Sequence, residues 1–181
     1  GPKAKEAKAL YEAFFAFHEK KRPFVALKFA TSLDGKLATR EKDSKWITNE
    51  SARTFARKVR SHYQAVLVGI DTILHDDPHL GIRHSAGTEP LRIILDSKLR
   101  IPESSQVLRD GNVLIATTAH APKDKRALLE RKGVEVLTFT GDAISPRKIL
   151  SVLRKRGIIS VFVEGGGSVL GSFVDEKLVD K

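Results

Sequence analysis

The sequence has no cysteine and no methionine, one tryptophan and two tyrosines in 181 residues. Without cysteine, disulfide frameworks, thiolate nucleophiles and cysteine-ligated zinc are excluded together, and an intracellular setting is favoured. Without methionine there is no initiating residue, and Gly1-Pro2 reads as an expression scar, so the terminal residues carry no functional weight. No apolar run approaches the roughly 18 residues of a membrane span. The N-terminal GPKAKEAKAL also lacks the apolar centre of an export signal. We therefore expect no membrane partner and a cytoplasmic location. Internal repeats and low-complexity segments are absent as well.

What is present suffices for a core: 41% of residues are hydrophobic and 30% charged, the balance of a folded chain rather than a disordered one. At about 150 residues per domain, the length predicts one domain with an appendage. Lys and Arg number 32 against 22 Asp and Glu, giving +10, a field that draws in nucleotides, sugar phosphates or nucleic acid without choosing among them.

Apolar residues at Ala7, Leu10, Tyr11, Phe14 and Phe17 predict one amphipathic helix over 3–20, stopped by KKRP. FVALKFA (24–30) reads as a buried strand delivering Lys28, followed by a long polar loop with a DG turn. Thr48 or Asn49 caps a helix to about His62, with Ala52, Phe55, Ala56 and Val59 as its buried stripe. Strands are predicted at 65–68, 91–95, 113–118, 134–137 and 158–163. Helices follow at 123–132, after Ser145-Pro146 and from Ser168. The alternation predicts an α/β fold with a mostly parallel central sheet flanked by helices.

VFVEGGGSVLGSF (161–173) places Glu164 and three glycines between a buried strand and a helix start. Glycines there let backbone N–H groups approach a ligand, and a helix N-terminus favours phosphate. The spacing is not that of a dinucleotide fingerprint, and a plain tight turn explains it too. We expect this turn at the far edge of the sheet, with guanidinium groups opposite. Lys28 and Asp34 form either a cation–carboxylate pair able to hydrogen-bond a sugar or relay a proton, or a salt bridge with an Asp-Gly turn. Arg60 and Arg83 are phosphate candidates because guanidinium grips two oxygens at once. Trp46 is either a core plug or a ring stacked on a planar ligand. His75, Asp76, Asp77 and His79 crowd together without any metal-site spacing, so no metal is expected.

Taken in order and spacing, LKFATSLDGKLAT, SKWITNESAR, AVLVGIDTILHDDPHLGIR, RIILDSKLRIP and VFVEGGGSVLGSF resemble the reductase half of the bifunctional deaminase/reductase of riboflavin biosynthesis. The resemblance runs from about Arg22 to Lys181. It implies a dihydrofolate-reductase-like fold, here without its last strands, in a reductase domain over 23–181. Residues 1–22 are implied to be a linker helix following a deaminase half that is absent, since its zinc site needs cysteines. The implied reaction is NADPH-dependent reduction of 5-amino-6-(5-phosphoribosylamino)uracil, or of its 2,5-diamino-pyrimidinone analogue: ribose opens to an imine and a hydride adds at C1′.

By matching position, the resemblance implies that Ala30, Trp46, Thr72, Asp76 and the segment Gly166, Gly167, Ser168, Val169, Leu170, Gly171 and Ser172 contact NADPH. Ser44, Arg60, Leu80, Arg83 and Glu164 are implied as the substrate set, with Arg60 and Arg83 on the ribose phosphate. Lys28 and Glu164 are the implied catalytic pair, orienting the sugar and managing protons. Partners are then a small ribosylaminopyrimidine phosphate and a second copy of the chain, in a homodimer or larger assembly, with no nucleic acid. Two alternatives stand beside this reading. One is a basic nucleic-acid-binding module, motivated by the charge alone. The other is a relative of the same fold that binds a nucleotide or reduces another pyrimidine or a pterin-like ring.

Overall fold

Six short apolar runs become the six strands of one sheet in the computed structural model of the chain, which describes residues 1–40, 44, 47–82 and 87–181. The strands are β1 (Phe24–Lys28), β2 (Ala65–Gly69), β3 (Leu91–Leu95), β4 (Val113–Thr118), β5 (Glu135–Phe139) and β6 (Ser160–Glu164). All pair in parallel, in the order β1-β6-β2-β3-β4-β5. Every residue of β2, β4 and β6 is buried, as expected of strands covered on both faces.

Seven helices complete the described chain: α1 (Ala4–Leu10), α2 (Glu12–Glu19), α3 (Glu50–Arg60), α4 (Ile70–Asp76), α5 (Lys123–Arg131), α6 (Pro146–Lys155) and α7 (Gly167–Asp175). The period-2 alternation of the strands divides the core. Val66, Val68, Ile94, Ile115 and Phe162 face Ile73 of α4, Leu129 of α5 and the loop residues Ile101 and Val107. Leu67, Ile93, Leu114, Val161 and Val163 face Ile149 and Leu153 of α6 and Leu170 and Phe173 of α7. None of the helices is long and apolar enough to cross a membrane.

Several expectations need correction. The predicted helix over 3–20 is two helices broken at Tyr11, and Leu10, Tyr11 and Phe14 are exposed. Only Ala16 of the pair is buried, so there is little packing to hold one continuous helix together. Asn49 caps α3 by accepting from the Ala52 N–H at 2.9 Å, but Ala52 and Phe55 lie outside the core. The helix touches it through Val59 and through Tyr63 just beyond, whose ring stacks on Phe162 with centroids 4.9 Å apart. The first strand ends at Lys28, two residues early. The glycine turn follows β6, an interior strand, rather than the far edge of the sheet.

The outer side of β1 is not bare. Its Leu27 N–H donates to the Lys181 carbonyl at 2.9 Å, and the Asp180 N–H donates to the Val25 carbonyl at 2.9 Å. The Asp180 carboxylate accepts from the Val25 N–H, Arg22 and Lys20, so it ties the segment before β1 to the residues after α7. Burial alone pushes this carboxyl up, but hydrogen bonds from Arg22, Lys20 and the Val25 N–H, with the charge of Arg22, hold it below the usual aspartate value. A group with a depressed folded pKa contributes stability above its unfolded value of about 4, and that contribution fades as pH falls through the folded value. Asp180→Asn should therefore lower stability at pH 7 by about 1–3 kcal/mol, with the gap to wild type closing in acid below about pH 4. Urea midpoints at several pH values check this; a gap independent of pH contradicts it.

Candidate active site

Ligands of open parallel sheets gather at the carboxyl ends of the strands, and here three such ends lie side by side. Lys28 and Glu164, the last residues of β1 and β6, are register partners. On the other flank of β6, β2 runs with Leu67 opposite Val163, which brings its terminal Gly69 level with the start of the glycine turn.

Glu164 is 7% exposed, and Arg60 meets it from the last turn of α3. The guanidinium donates through Nε to one carboxylate oxygen and through Nη2 to the other at 2.8 Å, while Nη1 donates to the Gly81 carbonyl at 3.1 Å. These bonds use three of the five guanidinium N–H groups, leaving two for a ligand anion. Lys28 is half-buried beside this pair. Among the described residues, no hydrogen bond or ion pair occupies its ammonium group. Asp34 does not supply one: it accepts from Ser32 and pairs with Lys36 at 3.8 Å within its own turn. Of the two readings of Asp34, the salt bridge with an Asp-Gly turn is the one found, with Lys36 rather than Lys28 as its partner.

The turn after Glu164 is built on two left-handed glycines, Gly165 at φ 94° and Gly166 at φ 75°. A Cβ on Gly165 would lie 3.3 Å from the Thr72 Oγ1 of α4, and one on Gly69 would lie 2.8 Å from a methyl of Val169. Both glycines therefore allow α7 to start against the start of α4. Gly166 caps α7 without any side-chain bond, so the first N–H groups of the helix remain open at its positive end. Gly167 and Ser168 are exposed there, and Leu37 from the loop after β1 lies across Gly167.

The structure thus brings together Lys28, Arg60, Thr72, Glu164, Gly166, Gly167 and Ser168. Ala30 sits two residues beyond β1, half-buried, and Asp76 ends α4, also half-buried. Ser44 is half-buried and its carbonyl accepts from the Ile47 N–H. Leu80 is buried in a loop that returns beneath Arg60 through Gly81. Leu170 points into the core with Phe173, Val169 packs towards Gly69, and the Ser172 hydroxyl donates to the Val169 carbonyl, so in the second half of the predicted segment these side chains serve the helix. Gly171 is half-buried between them. Trp46 and Arg83 lie outside the described residues. No cluster of three or more His, Asp or Glu suited to a metal ion occurs among the described residues.

Sequence reasoning missed two contributors. Gly69 reads merely as a strand stop, and its signal, a glycine opening a helix directly after a strand, matches that of the recognised turn. The Gly81 carbonyl, which fixes Arg60, has no sequence signal because any residue carries one.

Comparison with known proteins places the chain in a family. A riboflavin biosynthesis protein RibD of Bacillus amyloliquefaciens is 44% identical over 179 residues, covering 97% of this chain and 48% of that protein. A 2,5-diamino-6-ribosylamino-4(3H)-pyrimidinone 5′-phosphate reductase of Aquifex aeolicus is 32% identical, covering 88% of this chain and 74% of its own. The solved RibD of Acinetobacter baumannii superposes with a TM-score of 0.84 at 32% identity over 96% of this chain and 48% of that one. The chain spans about half the length of the first curated relatives it matches. Its fold is that of the RibD reductases, dihydrofolate-reductase-like. The model of the RibD C-terminal domain matches residues 23–181, and this chain belongs to that family.

Proposed function

We propose that the chain carries an NADPH-dependent reductase activity of riboflavin biosynthesis, converting 5-amino-6-(5-phosphoribosylamino)uracil to its ribitylamino product. The observation that carries this reading is the buried Arg60–Glu164 pair beside Lys28, placed directly before a glycine turn that opens the N-terminus of α7. A solved protein of Thermotoga maritima, 37% identical with a TM-score of 0.75 over 95% of this chain and 47% of that one, is a diaminohydroxyphosphoribosylaminopyrimidine deaminase/5-amino-6-(5-phosphoribosylamino)uracil reductase. A cytoplasmic setting, a homo-oligomer and a connecting role for residues 1–22 belong to the same reading.

The residues present fit a dinucleotide phosphate. Left-handed glycines keep Cβ atoms away from the turn, the helix dipole favours the anion, and Thr72 offers a hydroxyl beside it. When bound, the reduced nicotinamide supplies the hydride that adds at C1′ of the opened ribose. The chain supplies position and protons. Arg60 holds the Glu164 carboxylate in one orientation, where it can accept a hydroxyl of the open sugar. The two N–H groups left on Arg60, with Arg83, bind the terminal phosphate. Lys28 stands at the strand end beside Glu164 to give a proton as the ribose ring opens. Leu37, lying across Gly167, shields the start of α7 from water.

The test is NADPH oxidation followed at the nicotinamide band with and without the ribotide; no substrate-dependent oxidation overturns the proposal. Lys28→Ala should lower kcat by about 100-fold or more with small changes in either KM, the pattern of a group acting in the transition state. Unchanged turnover removes Lys28 from this role. Gly165→Ala forces an L residue to positive φ at a cost of about 1–2 kcal/mol and presses on Thr72. Relief of that strain shifts the turn from the position that receives the dinucleotide, and this should raise the KM for NADPH about tenfold while leaving that for the ribotide nearly unchanged. Steady-state kinetics with each ligand varied separates the two.

A further inference from the structure

The loop that carries Leu80 and the Gly81 carbonyl leaves α4 through a backbone conformation that an L residue does not adopt freely. Asp77 caps the helix at φ 40° and ψ 54°, and Leu80 sits at φ 60° although it is 3% exposed. Two left-handed residues on either side of Pro78 and His79 need something outside the loop to hold them.

At the far end, Arg60 donates to the Gly81 carbonyl, His79 Nδ1 lies 3.2 Å from the Gly81 N–H, and the Ile82 N–H donates to Glu89 at 3.2 Å. At the near end the restraint comes from Gln106, 29 positions along the chain. Its backbone N–H donates to the Asp77 Oδ1 at 2.9 Å, and its side-chain amide donates to the Asp77 carbonyl at 2.9 Å and to Oδ2 at 3.3 Å. Gln106 is itself immobilised, since it opens the 3-10 turn Gln106–Leu108 between Ser105 and Val107, which are 4% and 0% exposed.

Resting on the reductase reading above, we propose that Gln106 is a positioning residue for the sugar-phosphate side of the site. It clamps Asp77 in its left-handed conformation, and the clamped turn, with Leu80 buried in the core, sets the height at which Gly81 holds Arg60. The cofactor side does not share this dependence. Thr72 and Asp76 belong to α4, which Ile70 and Ile73 anchor in the core, upstream of the clamp. The clamp therefore acts on one ligand only, and this separates positioning from general structural support.

The expected result is a split in Michaelis constants. Gln106→Ala, which keeps the backbone bond but removes both amide bonds, should raise the KM for the ribotide about five- to tenfold with the KM for NADPH unchanged within about twofold. Asp77→Ala should do the same. Asp77→Asn should stay near wild type, because asparagine tolerates the left-handed region and its carbonyl oxygen still accepts from the Gln106 N–H. Should Gln106→Ala fail to fold, Gln106→Glu, which keeps the bulk but turns an acceptor on the Asp77 carbonyl, is measured in its place. Wild-type protein that oxidises no NADPH with the ribotide overturns the reductase reading and this inference with it. Wild-type activity with an unchanged ribotide KM in the variants, or with both constants rising together, overturns the clamp alone.

Discussion

The whole site hangs on one buried ion pair. Glu164 ends an interior strand and Arg60 ends a helix 104 positions earlier, and their bidentate contact is what fastens α3 to the strand end that leads into the glycine turn. Both side chains are largely withdrawn from solvent, that of Arg60 at 14% exposure and that of Glu164 at 8%. Removing one partner of such a pair costs about 3–5 kcal/mol because the other is left uncompensated, whereas the intact pair adds little to stability on balance. An arrangement of that kind is better understood as fixing geometry than as holding the fold together. It orients a carboxylate, leaves two guanidinium hydrogens without a partner among the described residues, and through the Gly81 carbonyl ties the loop after α4 into the same unit.

The sheet itself draws on ordinary forces. Its interior strands are apolar on both faces, and two cores of leucine, isoleucine and valine, one on each side, place the strand ends without help from the site residues. Charged groups that enter the interior find partners for some of their atoms, although Arg92 Nη1 and Asp96 Oδ1 find none among the described residues. Arg92 is fully buried on β3 and bonds Asp110 and the Asn112 carbonyl. Asp96, fully buried at the carboxyl end of the same strand, accepts from the Ile101 N–H at 2.8 Å and so shapes the loop that follows. Functional groups are thereby confined to one rim, where backbone bonds are no longer committed to neighbouring strands.

Much of the architecture was legible in the sequence because it is written locally. LRIIL and VLIATT coincide with β3 and β4 residue for residue, since each is a continuous apolar or β-branched run between polar breaks. Asn49 marks a helix start by its capping side chain, and Pro146 marks another by its fixed φ in the first turn. The N-terminal helix was misjudged because periodicity reports a stripe without reporting whether anything covers it. At the site, the glycines and Glu164 were visible as a strand-to-helix junction, while the resemblance supplied the roles. The pairing of Arg60 with Glu164 was not visible, because sequence distance hides it and arginines abound. For Asp34 the sequence leaves two readings open, and the local one prevails because a nearby lysine and serine in its own turn outcompete a cation across a bend.

Gly69 and Val169 meet where two helices begin, and a methyl of one occupies the space that a side chain on the other would need. The two positions share a fixed volume, so in homologous chains their sizes should vary inversely, a larger residue at the end of β2 travelling with a smaller one in the opening turn of α7.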